Sequence, residues 1–168
     1  MFTRTDEVTN FVAIEMESGD KIVVELYPET APITVENFKN LVSEKFYNGI
    51  IFHRVIAGFM IQGGDPTGTG CGGSEECIPG EFIANGFNNT LAHKRGVVSM
   101  ARTNDPNSAS SQFFIMHADG DFLNGQYAAF GRVTEGMYAV DRIAKSKTDM
   151  RDKPILDCKI LKAEIIYR

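Results

Sequence analysis

The sequence has no tryptophan and only three cysteines, and these shortages limit how the protein can be built. An odd number of cysteines in a chain that looks intracellular favours free thiols over a disulfide framework. Cys71 and Cys77 have five residues between them, which is not the spacing of a C-x-x-C redox or zinc motif. We expect free thiols, and a regulatory disulfide between Cys71 and Cys77 stays open.

Long apolar runs and basic clusters are also missing. No stretch of about 18 apolar residues occurs, so no membrane span is expected. The first ten residues, MFTRTDEVTN, lack the apolar segment of a signal peptide, and we expect a cytoplasmic protein. The formal net charge is −5 and no Lys/Arg run stands out, which argues against a nucleic-acid partner.

What the chain does contain is enough apolar material for a core. Its 168 residues, 43% of them hydrophobic, fit one domain spanning residues 1–168. Such a domain needs neither a disulfide nor a metal to fold. His93 and His117 have no partners at metal-ligand spacing, so we predict no metal site and interpret both as structural or surface residues.

Short strands with turn signals dominate the pattern. Residues Asn10–Tyr27 alternate in hydrophobicity around Ser18-Gly19-Asp20, which predicts a hairpin. Pro32 followed by an apolar stripe at helical spacing predicts one helix, and residues Met137–Ala144 predict a second; the first stripe is Val35, Phe38, Leu41 and Val42. The expected fold is mainly β, a closed eight-stranded antiparallel barrel capped by two helices.

The stretch Phe52–Gly64 is the strongest candidate for a binding site. It predicts two strand segments separated by Ala57-Gly58, and strand alternation places Arg54, Met60 and Gln62 on one face. A guanidinium, a thioether and an amide on an apolar wall are typical of a ligand pocket. An ordinary core strand with one arginine reaching to solvent explains the pattern as well, and both interpretations stay open.

The sequence argues against two other kinds of functional site, a phosphate-binding loop and a serine-hydrolase nucleophile. The glycine-rich segment Asp65–Gly80 contains no lysine and no helical pattern follows it, which argues against a phosphate loop. Its glycines instead suit a loop whose backbone passes close to a bound chain. Ser110 and Ser111 do not lie in a nucleophile elbow, so a serine hydrolase is not favoured.

Three long segments resemble the cyclophilins, a family of peptidyl-prolyl cis-trans isomerases. They are FHRVIAGFMIQGGD, GVVSMARTNDPNSASSQFFI and FLNGQYAAFGRVTEGMYAVDRI, and the likeness runs from about Asn10 to Ile166. The resemblance implies an eight-stranded antiparallel barrel closed by two helices. It also implies a proline-binding groove on the outer surface of the barrel.

The resemblance also implies roles for individual residues. Arg54 matches the catalytic arginine of the family. The walls of the proline pocket match Phe59, Met60, Phe114 and Leu123, and the groups that hold the substrate backbone match Gln62 and Gln112. The residue before proline would lie at Ala101 and Arg102. Gly70 lies in the loop that flanks the groove.

Three positions depart from the common pattern. Arg102 stands where the family often has asparagine, Phe122 where many eukaryotic members have tryptophan, and Tyr127 where they have histidine. The last two are familiar in bacterial-type cyclophilins. They are compatible with isomerase activity but predict weakened cyclosporin binding.

The predicted function is therefore isomerisation of X-Pro bonds in unfolded or flexible polypeptides, by a monomer without a cofactor. An alternative is a module that binds proline-containing segments, with incidental catalysis. Amide rotation needs no proton transfer, so we interpret His53 as structural and expect activity that does not vary between roughly pH 6 and 9.

Overall fold

A computed structural model describes residues 8–167 as one sheet with two helices. In chain order the strands are β1 Val8–Met16, β2 Lys21–Leu26, β3 Phe52–Ile56, β4 Met60–Gly63, β5 Val97–Met100, β6 Phe113–Met116, β7 Ala129–Glu135 and β8 Ile160–Tyr167. The helices are α1 Pro32–Ser43 and α2 Met137–Ala144, and two short 3-10 helices cover Ile83–Asn85 and Asp121–Leu123. The prediction that the first ten residues lack a signal peptide mostly concerns residues 1–7, which lie outside the described part of the chain.

The eight strands are all antiparallel and follow the order β3-β4-β6-β5-β7-β2-β1-β8. The predicted mainly-β fold with eight antiparallel strands and two helices is confirmed. The predicted closure is wrong, because β3 and β8 are the two ends of an open, curled sheet and do not pair along their length.

The reason for the open edge lies in the segment opposite β3. In the described chain the flanks of the two edge strands meet over a short stretch, where a bridge joins Ile51 and Lys159. There the Ile160 N–H donates to Ile50 O at 2.8 Å, and the Phe52 N–H donates to Cys158 O at 2.9 Å. Farther along β3 the Val55 N–H still donates to Asp152 O at 2.7 Å, but Asp152 adopts φ 62° and Pro154 has no N–H to donate, so this segment turns and no regular ladder continues along β3.

Side-chain alternation in the sheet gives the molecule two separate apolar clusters. The larger cluster lies inside the curl and is centred on Phe38 of α1, whose ring centroid is 5.2 Å from Tyr47 and 5.5 Å from Phe113. The adjacent Phe114 belongs to the smaller cluster, with Met60 and Leu123. Because successive strand residues point to opposite faces, β6 builds the core and an outer apolar surface at once.

Helix α1 begins at the predicted proline but takes its cap from a distant loop. Its N-cap residue, Ala31, makes no side-chain capping bond. The buried carboxylate of Glu81 accepts hydrogen bonds instead from the backbone N–H of Thr34 at 2.6 Å and from its hydroxyl at 2.7 Å. This contact satisfies an N–H that the helix leaves unpaired and fixes the loop around Glu81 against α1.

The predicted hairpin forms as β1 and β2, and α2 has the predicted bounds. Strand β8 begins only at Ile160, and Ile155 and Leu156 lie exposed in the turn region before it. Within residues 8–167 no helix has the length and hydrophobicity required to cross a bilayer.

Candidate active site: a groove on the outer face of the sheet

Two adjoining cavities form a groove over β3, β4 and β6. The smaller, which we call the notch, has a volume of about 130 Å³ and is lined by Arg54, Phe59, Met60, Gln62, Ala101, Arg102, Phe114, Leu123 and Tyr127. The structure thus brings together the three residues of the Phe52–Gly64 stretch that alternation placed on one face. Nine of the twelve residues singled out from the sequence line this one space.

The walls of the notch are apolar and supported from behind. The ring of Phe114 packs edge-on against Tyr127 at 5.8 Å, and the buried imidazole of His93 stacks behind it at 6.0 Å. His93 is held in turn by Ser99 Oγ at 2.9 Å and by Asn124 Oδ1 at 3.2 Å. Burial lowers the pKa of His93, although the Asn124 contact opposes the shift, so a neutral ring supports the wall.

Arg54 stands at the mouth of the notch on β3. It pairs directly with Gln62 on β4, and its side chain is exposed. Nη1 donates a long hydrogen bond of 3.4 Å to Gln62 Oε1, its one hydrogen bond within the described residues. Most donors of the guanidinium are therefore free to meet a bound polar group.

A relay of amides runs from Arg54 to the glycine-rich loop. Gln62 Nε2 donates to Gln112 Oε1 at 3.0 Å. Gln112 Nε2 donates to the carbonyls of Gly70 at 3.0 Å and Gly72 at 2.7 Å. The two glutamines lie at one side of the groove and tie the loop to the strands.

The loop is also held from within by one buried carboxylate. Asp65 accepts from the N–H groups of Thr67 at 2.8 Å, Thr69 at 3.1 Å and Gly70 at 2.7 Å, and from the Thr67 hydroxyl. Burial of Asp65 would raise its pKa, but the hydrogen bonds from Thr67, Gly72 and Gly70 outweigh it and hold the pKa at about 2. The carboxylate is charged throughout the physiological range and keeps the loop folded.

Beneath the same loop, Gly64 permits a close approach to the segment just before β6. It adopts φ 97°, and a Cβ at this position would collide with the Ser111 carbonyl. The hydroxyl of Ser111 is buried, donates to Gly64 O at 2.7 Å and accepts from the N–H of Ser74 at 3.0 Å. Ser111 therefore fixes the loop and is not a nucleophile.

The larger cavity, which we call the side cavity, adjoins the notch and measures about 410 Å³. It shares Gln62, Ala101 and Arg102 with the notch and adds Gly70, Cys71, Gly72, Gly73, Ser74, Thr103, Ser108, Ser110 and Gln112. Gly70 and Gln112 were singled out from the sequence, whereas the other added residues were not. The glycine-rich loop, which the sequence indicated would pass close to a bound chain, could have signalled Cys71, Gly72, Gly73 and Ser74. Thr103, Ser108 and Ser110 lie in the polar loop before β6, and no local pattern marks them.

Phe122 lies at the rim and lines neither cavity. It is 71% exposed, and its ring centroid is 5.5 Å from that of Phe59. Phe122 therefore extends the apolar wall outward into solvent, where a larger ligand would cover it.

The remaining histidines lie outside the groove lining. His53 is buried, and Gly70 of the loop packs over it: a Cβ at Gly70 would lie 3.5 Å from its ring. Burial lowers the pKa of His53, with Arg54 adding to the shift and Asp65 opposing it. His117 Nδ1 accepts from the N–H of Gly58 at 2.8 Å. Residues 8–167 contain no group of three His, Cys, Asp or Glu placed to hold a metal ion.

Comparison with known proteins gives a consistent answer. Residues 11–165 match the family model described as cyclophilin type peptidyl-prolyl cis-trans isomerase. The peptidyl-prolyl cis-trans isomerase ppi1 of Schizosaccharomyces pombe is 47% identical over 89% of this chain and 96% of its own length. The peptidyl-prolyl cis-trans isomerase-like 1 of Rhizopus delemar is 48% identical over 87% of each chain. Both are fungal, so the expected likeness to bacterial members is not reflected in them.

A solved structure agrees. The cyclophilin type peptidyl-prolyl cis-trans isomerase of Cryptosporidium parvum, crystallised in the presence of the dipeptide Ala-Pro, superposes with a TM-score of 0.85 at 34% identity. The match covers 94% of this chain and 99% of that one. Family model, relatives and fold agree: this chain belongs to the cyclophilin type peptidyl-prolyl cis-trans isomerases.

Proposed function

We propose that this cyclophilin-family protein holds an X-Pro segment of a flexible polypeptide in the groove, with the proline ring in the notch, and that Arg54 accelerates rotation of the X-Pro bond. The observation that carries the proposal is the placement of the exposed Arg54 guanidinium at the mouth of an apolar notch.

Isomerisation of an X-Pro bond requires only rotation about an amide and no change in covalent bonding. Rotation about an amide must overcome partial double-bond character, with a barrier of about 18–20 kcal/mol. The twisted state localises a lone pair on the proline nitrogen, and a donor fixed near it stabilises that state more than either planar isomer. The guanidinium of Arg54 is always charged and presents a rigid array of donors. Lowering the barrier by about 7 kcal/mol brings turnover into the millisecond range.

The rest of the groove positions the substrate. Phe59, Met60, Phe114 and Leu123 hold the ring while the acyl side turns, and they exclude water, which strengthens the interaction with Arg54. Gln62 and Gln112 offer amide groups to the peptide backbone, and Ala101 and Arg102, which line both cavities, border the path of the residues that precede proline. No step requires a proton, a metal or a cofactor.

Three further properties belong to this proposal. The enzyme acts as a single-domain monomer, and it acts in the cytoplasm, for which the odd number of cysteines is the support. It binds cyclosporin weakly, because Phe122 at the rim has no N–H to donate.

The test is an isomerisation assay on a proline-containing peptide, read by magnetisation-exchange NMR, which needs no coupling protease. The proposal predicts exchange between cis and trans that is fast with the wild-type chain and at least a hundredfold slower with Arg54→Ala. A wild-type chain that binds the peptide without accelerating exchange would favour a binding module instead.

A further inference from the structure

The groove carries positive charge on a protein that is acidic overall. The formal net charge of the chain is −5. Among the residues that line the notch and the side cavity, the charged ones are Arg54 and Arg102. The carboxylates on the flanking loops, Glu75, Glu76 and Asp105, line neither cavity. A bound peptide therefore meets two cations and no carboxylate in the groove itself.

Arg102 is the positively charged residue that lines the side cavity as well as the notch, and neighbouring groups hold its side chain in place. Its guanidinium carbon lies 4.6 Å from the ring centroids of both Phe82 and Tyr127. Nε and Nη2 donate to the carbonyl of Gln126 at 3.2 and 2.6 Å, and Nη1 donates to the carbonyl of Thr103 at 2.9 Å. Two aromatic rings and two carbonyls hold the group in one place, so little entropy is lost when it binds a ligand.

The charge of Arg102 has no carboxylate partner in the described structure, in contrast to those of Arg95 and Arg142. Arg95 forms a bidentate ion pair with Asp141, with N–O distances of 2.6 and 2.7 Å, and Arg142 pairs with Asp20 at 3.1 Å. Arg102 contacts only neutral oxygens and π faces. Three of its five N–H groups are used by these contacts, which leaves two without a partner in the described structure.

We infer that Arg102 makes the enzyme select substrates with an acidic side chain two residues before the proline. This inference rests on the proposed function, which places the proline ring in the notch. In an extended chain alternate side chains point the same way, so the residue two before proline faces the protein as the ring does. Its side chain enters the side cavity, where Arg102 is the charged residue in the lining.

The size of the preference follows from the exposure of the pair. Ion pairs at exposed positions contribute about 0.2–1 kcal/mol, and contacts to a fixed guanidinium lie toward the upper end. We expect kcat/KM for a Glu-Ala-Pro peptide to exceed that for the matched Gln-Ala-Pro peptide about fivefold, with Lys-Ala-Pro below both. The preference should shrink toward unity in 0.5 M NaCl, because the Debye length falls to a few Å.

The test measures exchange rates of these three peptides by NMR with the wild-type chain, Arg102→Gln and Arg102→Lys. The readout is the Glu-to-Gln ratio within each enzyme, which cancels any general effect of the substitution on folding or activity. We expect a ratio near one for Arg102→Gln and an intermediate ratio for Arg102→Lys, which keeps the charge but loses the planar contacts.

A wild-type ratio near one at low salt, or a ratio that Arg102→Gln leaves unchanged, would overturn the inference. Failure of the proposed function is recognised separately, because the wild-type chain would then accelerate exchange of none of the peptides. A preference for Glu placed directly before proline, and not at the earlier position, would also contradict the inference.

Discussion

The side-chain amide of Gln62 donates to Oε1 of Gln112 at 3.0 Å, and this contact joins the strand that carries the notch to the loop that borders the side cavity. Gln112 lies just before β6 and reaches the carbonyls of Gly70 and Gly72 with its own N–H groups. One side chain thus couples the two halves of the groove.

Replacing Gln112 should loosen the loop and weaken substrate binding. Gln112→Ala removes the acceptor for Gln62 and both donors to the loop, each worth about 1 kcal/mol. We expect kcat/KM to fall about tenfold, mainly through KM, and amide hydrogen exchange in residues 67–72 to become faster. Gln126→Ala is the matched control, because Gln126 bonds Arg102 through its main-chain carbonyl. Wild-type kinetics for Gln112→Ala would show that the relay is dispensable.

The charge on Asp65 should stabilise the fold with a defined pH dependence. Its pKa of about 2 lies below the ordinary value of 3.8. A depressed folded-state pKa contributes stability that is fully present above the unfolded pKa and is lost as the pH falls through the folded one. A shift of this size corresponds to about 2 kcal/mol at pH 7.

Urea unfolding of the wild-type chain and Asp65→Asn measures this contribution. We expect the wild type to be more stable by about 2 kcal/mol at pH 7, with the difference falling to about half at pH 3. A difference that does not change between pH 7 and pH 3 would show that the carboxylate charge does not hold the loop.

Isomerase activity should not vary between pH 6 and 9. Neither His53 nor His93 lines the notch, and burial lowers the pKa of both, which favours their neutral rings. Below about pH 6.5 the unfolded chain takes up protons more readily than the folded one, and the stability from the neutral rings is lost as the pH falls through their lowered pKa values. The pH profile of kcat/KM tests whether the activity is constant between pH 6 and 9. A bell-shaped profile that disappears in His53→Gln would assign His53 a catalytic role.

Cyclosporin affinity should respond to the residue at position 122. Phe122 is exposed beside Phe59 and has no hydrogen-bond donor. Phe122→Trp adds an indole N–H and apolar area at the rim, and we expect cyclosporin to bind about tenfold more tightly. Isothermal titration calorimetry measures the change, and Tyr138→Trp, at an exposed aromatic on α2, is the control. Equal affinities for wild type and Phe122→Trp would contradict this role.

Local patterns in the sequence predicted the elements well. The bounds of α2 and the start of α1 follow from apolar periodicity and Pro32, and the hairpin follows from alternation around a glycine turn. The shared face of Arg54, Met60 and Gln62 follows from strand alternation once the break at Ala57-Gly58 is treated as a turn. The residues of the Phe114 wall came from the family resemblance instead, since no local pattern joins β4 to β6.

Contacts between distant segments could not be predicted from local patterns. Thr34 and Glu81 are 47 positions apart, and nothing in either segment signals a buried carboxylate that caps a helix. The amide relay from Gln62 to Gly72 and the contact of Arg102 with Phe82 depend on three loops that meet only in the folded chain. The open edge beside β3 likewise depends on a turn at residues 149–157, where the apolar pair Ile155-Leu156 lies exposed.

The most direct test of the account is the isomerisation rate of Arg54→Ala beside Arg54→Lys and Arg142→Ala. Arg142 is an exposed arginine paired with Asp20 outside the groove, so its variant controls for the loss of a surface charge. We predict that Arg54→Ala lowers kcat/KM at least a hundredfold, about 2.7 kcal/mol, while thermal unfolding stays at the wild-type temperature. Arg54→Lys should recover little because the planar donors are lost, and Arg142→Ala should match wild type. A folded Arg54→Ala protein with near wild-type kcat/KM would contradict the account.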